Sequence, residues 1–293
     1  MRGTTGTSSG STEAPGPGEN LQSSRRHRIL LALIACASLL AALPAGAGAA
    51  PRAHRSIVGG LPANTAQWPF AVAIFRKGHM HCSGSVVSPT RVLTAGHCVD
   101  GFNVANFQVI VGRPTLRDTS VGQTIGVVSG RVHPDFEQTG LHDVATLDLA
   151  QPVSVAPVAL ATPDQSAATA SPGAVLQVAG YGATNPFGTH LSGFLKSTVE
   201  QVRADSRCLK AYTRDLFAPE SMICALGPKR KHGGRFKIHT TACSGDSGGP
   251  LVADVGGTPV EVGTVSYGGA LCGLPAAPTV YSRVSTSLGF ING

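Results

Sequence analysis

The chain has 293 residues and seven cysteines, with 23 Lys or Arg against 16 Asp or Glu for a formal net charge of +7. That charge is local: residues 1–56 hold six cations against two acids, and Lys229, Arg230, Lys231, Arg235 and Lys237 supply five more, leaving 12 cations against 14 acids elsewhere. A near-neutral body excludes a general nucleic-acid binder, and the 15-residue apolar or small run from Ile29 to Leu43 falls short of the roughly 20 residues that span a membrane.

Residues 1–24 are Gly, Ser, Thr and Pro with almost nothing apolar, a composition that cannot offset chain entropy and predicts disorder. Arg25, Arg26 and Arg28, the apolar run and then AGAGAA have the layout of a secretory signal. Residues 1–50 are therefore expected to be a disordered extension plus signal peptide, and 51–56 a short propeptide. Export makes the six cysteines beyond the leader candidates for disulfides rather than a metal site, because no CxxC or paired cysteine–histidine spacing is present.

From residue 57 the apolar residues come in short Val-rich runs: FAVAIF (70–75), SVVS (85–88), FQVIVG (107–112), VATLDL (144–149), AVLQVAGYG (174–182), PLVADV (250–255) and VEVGTVSYGG (260–269). Turn signals bound them, so they read as strands. Helix is expected only as a short, irregular piece in SRCLKAYTRDLF (206–217) and at the chain end near VSTSLGF. The class is all-β, and about 237 residues suit two small barrels better than one sandwich. A first barrel is expected over about 57–160 and a second over about 170–293, joined by the Pro-, Ala- and Ser-rich stretch 151–174.

The chemistry gathers at GDSGGP (245–250), where flanking glycines leave Ser247 open to a substrate. A serine becomes a nucleophile when a histidine takes its proton and a carboxylate fixes that histidine's tautomer. GDSGG also fits the GxSxG turn of α/β-hydrolases, but there the histidine follows the serine, and the last histidine here is His239. An Asp–His–Ser order would have to start at Asp100, the first aspartate, and none of the histidines that follow it has a recognisable active-site context. His, then Asp, then Ser remains.

LTAGHC (93–98), HDVATLDL (142–149), CSGDSGGP (243–250) and VSYGG (265–269) resemble, in order and spacing, the four signatures of the chymotrypsin family of serine endopeptidases, and IVGG (57–60) its mature N-terminus. The resemblance implies two six-stranded antiparallel barrels with the active site in the cleft between them. It implies that His97 is general base and acid, Asp143 its orienting partner (Asp148 being the alternative) and Ser247 the nucleophile, with the N–H groups of Gly245 and Ser247 as oxyanion hole. It implies bridges Cys82–Cys98, Cys208–Cys224 and Cys243–Cys272, and an activation pair between the α-amino group of Ile57 and Asp246. Ser266 would support the buried aspartate, and Gly268 would lie on the substrate-pairing strand.

Three departures shape the expectation. AHRSIVGG puts Ser56 between the basic Arg55 and Ile57, which predicts processing after Ser56, or later trimming of it, by a protease not specific for arginine. Thr241 stands at the base of the primary pocket where relatives that cut after Lys or Arg carry aspartate, and Thr279 narrows a wall that Gly268 leaves open. A neutral pocket then favours Leu, Met or small aliphatics. The loop 225–242 is long and basic; it reads as a solvated insertion, with capture of a polyanion or acidic substrate at 229–237 as the sharper possibility. His79 and His81 form an HxH pair without a nearby carboxylate to complete a metal site. No cofactor, metal, nucleic acid or membrane is expected for the exported protein. Its partners are protein or peptide substrates and it is expected to be an extracellular monomer. The competing function is a lapsed protease fold that binds through its basic loop.

Overall fold

A computed structural model describes residues 57–232 and 236–293; the expected leader and propeptide lie outside them. Sixteen strands are described. Six of them, β2 (Ala71–Arg76), β3 (His79–Ser88), β4 (Arg91–Thr94), β5 (Phe107–Val111), β6 (Gln123–Val132) and β7 (Ala145–Leu149), close into an antiparallel barrel in the order β2-β3-β4-β7-β6-β5. Alternation drives its packing, as Phe107, Val109 and Val111 on β5 turn inward to meet Phe70, Val72 and Ile74.

The second barrel runs β10 (Lys196–Val202), β11 (Met222–Leu226), β16 (Thr279–Arg283), β15 (Thr258–Tyr267), β14 (Pro250–Val255) and β9 (Val175–Gly180), closed by the β9–β10 pairing. Leu176, Val178, Ile223, Val262 and Tyr281 fill it. Two two-residue strands knit the halves together: β1 (Leu61–Pro62) adds to β10, and β8 (Ala159–Leu160) runs parallel to β15. The start of the first half therefore pairs with the second. The remaining strands, β12 (Lys229–His232) and β13 (Phe236–His239), form a separate antiparallel ribbon where the sequence suggests only a solvated loop.

The helices are short: α1 (Pro134–Thr139), α2 (Pro163–Thr169), α3 (Asp205–Ala211) and α4 (Leu288–Asn292). The third and fourth fall where helix is expected, and α2 interrupts the inter-barrel connection, opened by a Thr162–Gln165 capping box. All three cysteine pairs implied by the resemblance are bonded. No described helix is long and apolar enough to cross a membrane.

Candidate active site

His97 sits on a single 3-10 turn, Gly96–Cys98, which hangs from β4 and is stapled to β3 by Cys82–Cys98. Asp143 lies just ahead of β7 and is only 3% exposed. Its Oδ1 accepts from His97 N–H at 2.8 Å and its Oδ2 lies 2.7 Å from His97 Nδ1. Ser266 on β15 donates to Oδ2 at 2.6 Å. Burial would raise the Asp143 carboxyl, but the hydrogen bonds from His97 and Ser266 outweigh it and hold it below the usual carboxylate range. Asp148, the alternative acid, is engaged elsewhere by Arg91 at 2.9 Å and Ser129 at 2.6 Å.

Ser247 lies in the segment entering β14. Its carbonyl accepts from Ser83 N–H of β3 at 2.8 Å, which holds it against the first barrel. Around it the backbone alternates: Asp246 N–H donates to Cys243 O, Gly248 N–H to Val265 O and Gly249 N–H to Asp246 O. Among the described residues no backbone carbonyl accepts from Gly245 N–H or Ser247 N–H. Gly245 has φ of 88°, a left-handed conformation that suits glycine and turns its N–H out of that ladder.

Asp246 points the other way, into the second barrel, and is fully buried. Gly182 N–H and Cys243 N–H donate to its two oxygens at 2.8 and 2.9 Å. No described cation meets it, and burial pushes its carboxyl up to about 7. A side chain could not replace Gly182, because a Cβ there would stand 2.5 Å from Asp246 N. Ile57 is also fully buried, and Val58 bridges to Thr241.

Beside Ser247 opens a cavity of about 250 Å³, walled by Ser266, Gly268 and Thr279 and also by Tyr267 and Ala277. Thr279 reaches the cavity; Thr241 lies behind it, 1% exposed, with the two hydroxyl oxygens 2.5 Å apart. Behind Thr241 stands fully buried Glu200, whose Oε1 accepts from Ala242 N–H at 3.2 Å. Nothing in the sequence singles out Glu200, since it lies in a polar stretch without a motif.

The basic ribbon presents Lys229, Arg230, Lys231 and Lys237 to solvent, while its base meets the pocket wall through His239 N–H and Gly273 O at 3.0 Å. Of the HxH pair, His79 is exposed, whereas His81 packs against Phe102 and Phe107 and lies 3.0 Å from Cys98 O.

Comparison with known proteins agrees with this architecture. The family model described as Trypsin matches residues 57–291. A protein named Trypsin from Saccharopolyspora erythraea is 35% identical over 230 residues, covering 78% of this chain and 93% of the relative. Trypsin 5G1 of Aedes aegypti is 36% identical over 242 residues (80% and 83%), and glucanase inhibitor protein 2 of Phytophthora infestans is 33% identical over 264 residues (87% and 96%). With a whole-domain match and two closed six-stranded antiparallel barrels, this chain belongs to the trypsin family, of the chymotrypsin-like serine protease fold.

Proposed function

We propose that the protein is a secreted serine endopeptidase, made as an inactive precursor, with His97, Asp143 and Ser247 as its triad. The observation that carries this is buried Asp143, held by hydrogen bonds from both His97 and Ser266. Asp143 keeps the His97 Nδ1–H in place, which leaves Nε2 free to take a proton. Ser247 Oγ attacks the substrate carbonyl carbon, a C–O bond forms, and the Oγ proton passes to His97 Nε2. Negative charge moves to the former carbonyl oxygen, where the N–H groups of Gly245 and Ser247 receive it. Collapse breaks the C–N bond, and the amine leaves with the proton from His97. Water then repeats the sequence on the acyl-enzyme.

The pocket takes neutral side chains of small to medium size, since Thr279 narrows it and no described carboxylate lines it. Activation frees the Ile57 α-amino group by cleavage after Ser56, and its ammonium supplies the charge that the Asp246 carboxylate lacks. The exposed cations of the β12–β13 ribbon favour substrates with acidic segments. Raising salt should then slow acidic peptides more than neutral ones.

A fluorophosphonate probe tests the reading: the processed protein should be labelled at Ser247, and Ser247→Ala should abolish labelling and hydrolysis. Failure to label correctly processed protein would favour the second reading, a protease-fold protein that binds another protein. The relative named glucanase inhibitor protein 2, at 33% identity, motivates that alternative. N-terminal sequencing of active protein should find Ile57; Ser56 as the stable end would sink the activation scheme.

A further inference from the structure

Glu200 is a buried acid that the catalytic reading leaves unused. It lies on β10, opposite Leu176 of β9, and is wholly enclosed. Besides the bond from Ala242 N–H at 3.2 Å, the hydroxyls of Tyr281 and Thr241 stand near its carboxylate, short of a well-formed hydrogen bond, and favour the ionised form. Among the described residues no donor meets Oε2 with good geometry. Thr241 shares its 2.5 Å hydrogen bond with Thr279, and Thr279 faces the cavity beside Ser247. One carboxylate, two hydroxyls and the pocket floor therefore stand in line.

The order of protons along that line follows from what each group can do. An ionised carboxylate only accepts, so it draws the nearby Thr241 O–H toward itself and leaves the Thr241 oxygen to accept from Thr279. Thr279 then offers a lone pair to the cavity. We propose that Glu200 is a specificity-determining residue that acts through the Thr241–Thr279 pair, making the pocket floor an acceptor that selects medium-length side chains ending in a hydrogen-bond donor, such as Gln, over apolar ones of similar size, such as Met. The proposal rests on the endopeptidase reading and refines its neutral pocket: the walls are apolar, the floor is polar, and its polarity has a direction.

The same chemistry makes the floor reversible. Asp246 adds a like charge from the nucleophile segment, Tyr281 faces Glu200 from β16, and Lys196 is the other buried ionisable residue on β10. Burial foremost, with Asp246 adding to it, pushes the Glu200 carboxyl up to about 7. Protonated, Glu200 donates to Thr241, the hydroxyls turn round, and Thr279 presents an O–H instead. Glu200→Gln does the same permanently, since its carbonyl keeps the Ala242 N–H and its amide donates to Thr241.

The test is kcat/KM for matched peptides with Gln or Met before the scissile bond, at about pH 6 and pH 8.5. The ratio of the two substrates cancels the titration of the catalytic groups that both share. The unaltered protein should favour Gln about tenfold more at pH 8.5 than Glu200→Gln does, and should converge on the variant near pH 6. Equal ratios in both proteins at both pH values would overturn the proposal. Should Glu200→Gln fail to fold, Thr241→Val, which cuts the line between Glu200 and Thr279, should lower the Gln-to-Met ratio as far, and an unchanged ratio overturns the proposal. Failure of the endopeptidase reading shows separately, as no hydrolysis of any peptide and no labelling of Ser247. Calorimetric binding of n-butylammonium then reads the floor without a working nucleophile: at least tenfold weaker binding to Glu200→Gln supports the proposal, and equal binding overturns it.

Discussion

At Ser266 a single hydroxyl stabilises a buried carboxylate, and such a bond is worth about 1.5–3 kcal/mol. Ser266→Ala should lower kcat about tenfold with little change in KM, read by steady-state kinetics. It should also change acid stability. The folded-state pKa of Asp143 lies below its unfolded value, so its contribution is present at neutral pH and is lost as pH falls through the folded pKa. Losing the Ser266 donor raises that folded pKa, so the acid-unfolding midpoint should move to higher pH. A second residue-scale prediction concerns Gly182. Gly182→Ala would press a Cβ to 2.5 Å from Asp246 N, so the nucleophile segment must shift. Fluorophosphonate labelling should fall at least tenfold while the fold, read by circular dichroism, is retained.

Among the elements, β3 and β15 meet through a buried contact between the barrels. Ser85 donates to Glu261 at 2.6 Å, and Thr264 lies 3.4 Å from the other oxygen. Ser85→Ala should cost about 1–3 kcal/mol in denaturant unfolding, because it leaves a buried acceptor short of a donor. These elements also show what the sequence can carry. β5 and β14 are visible as Val-rich runs bounded by turn signals, while β11, MICAL, is missed although all five of its residues are buried, and His97, Asp143 and Ser247 are visible because their neighbours form motifs. β10 is not, because Lys196 and Glu200 occupy inward positions and erase the alternation. β6 is missed for the opposite reason: Ile125 and Val127 are its only buried residues. The β12–β13 ribbon looks like loop because five cations fall within nine residues, yet its eight paired residues make a ladder. Thr241 does not line the cavity, because the fold, which its sequence neighbours do not reveal, sets Thr279 between the two.

At the scale of the whole molecule, three acids are fully buried among the described residues, and their carboxyls are pushed up to about 7 for Glu200 and Asp246 and about 8 for Glu261, in each case chiefly by burial. An acid with a raised folded-state pKa holds its proton more tightly folded than unfolded. Its contribution is therefore intact below the unfolded pKa and is lost as pH rises through the folded one. Glu261→Gln removes one such group, so its melting temperature should gain on the unaltered protein steadily between about pH 5 and pH 8.5. A gap that stays constant with pH would contradict this. The bond from Ser83 N–H to the Ser247 carbonyl carries a different consequence. Ser247 is chained to the second barrel by sequence but moored to the first by that bond, so warming that parts the two halves should disable the proposed nucleophile before either half melts. Heat inactivation should precede the calorimetric transition, and the interval between them measures the strength of the seam.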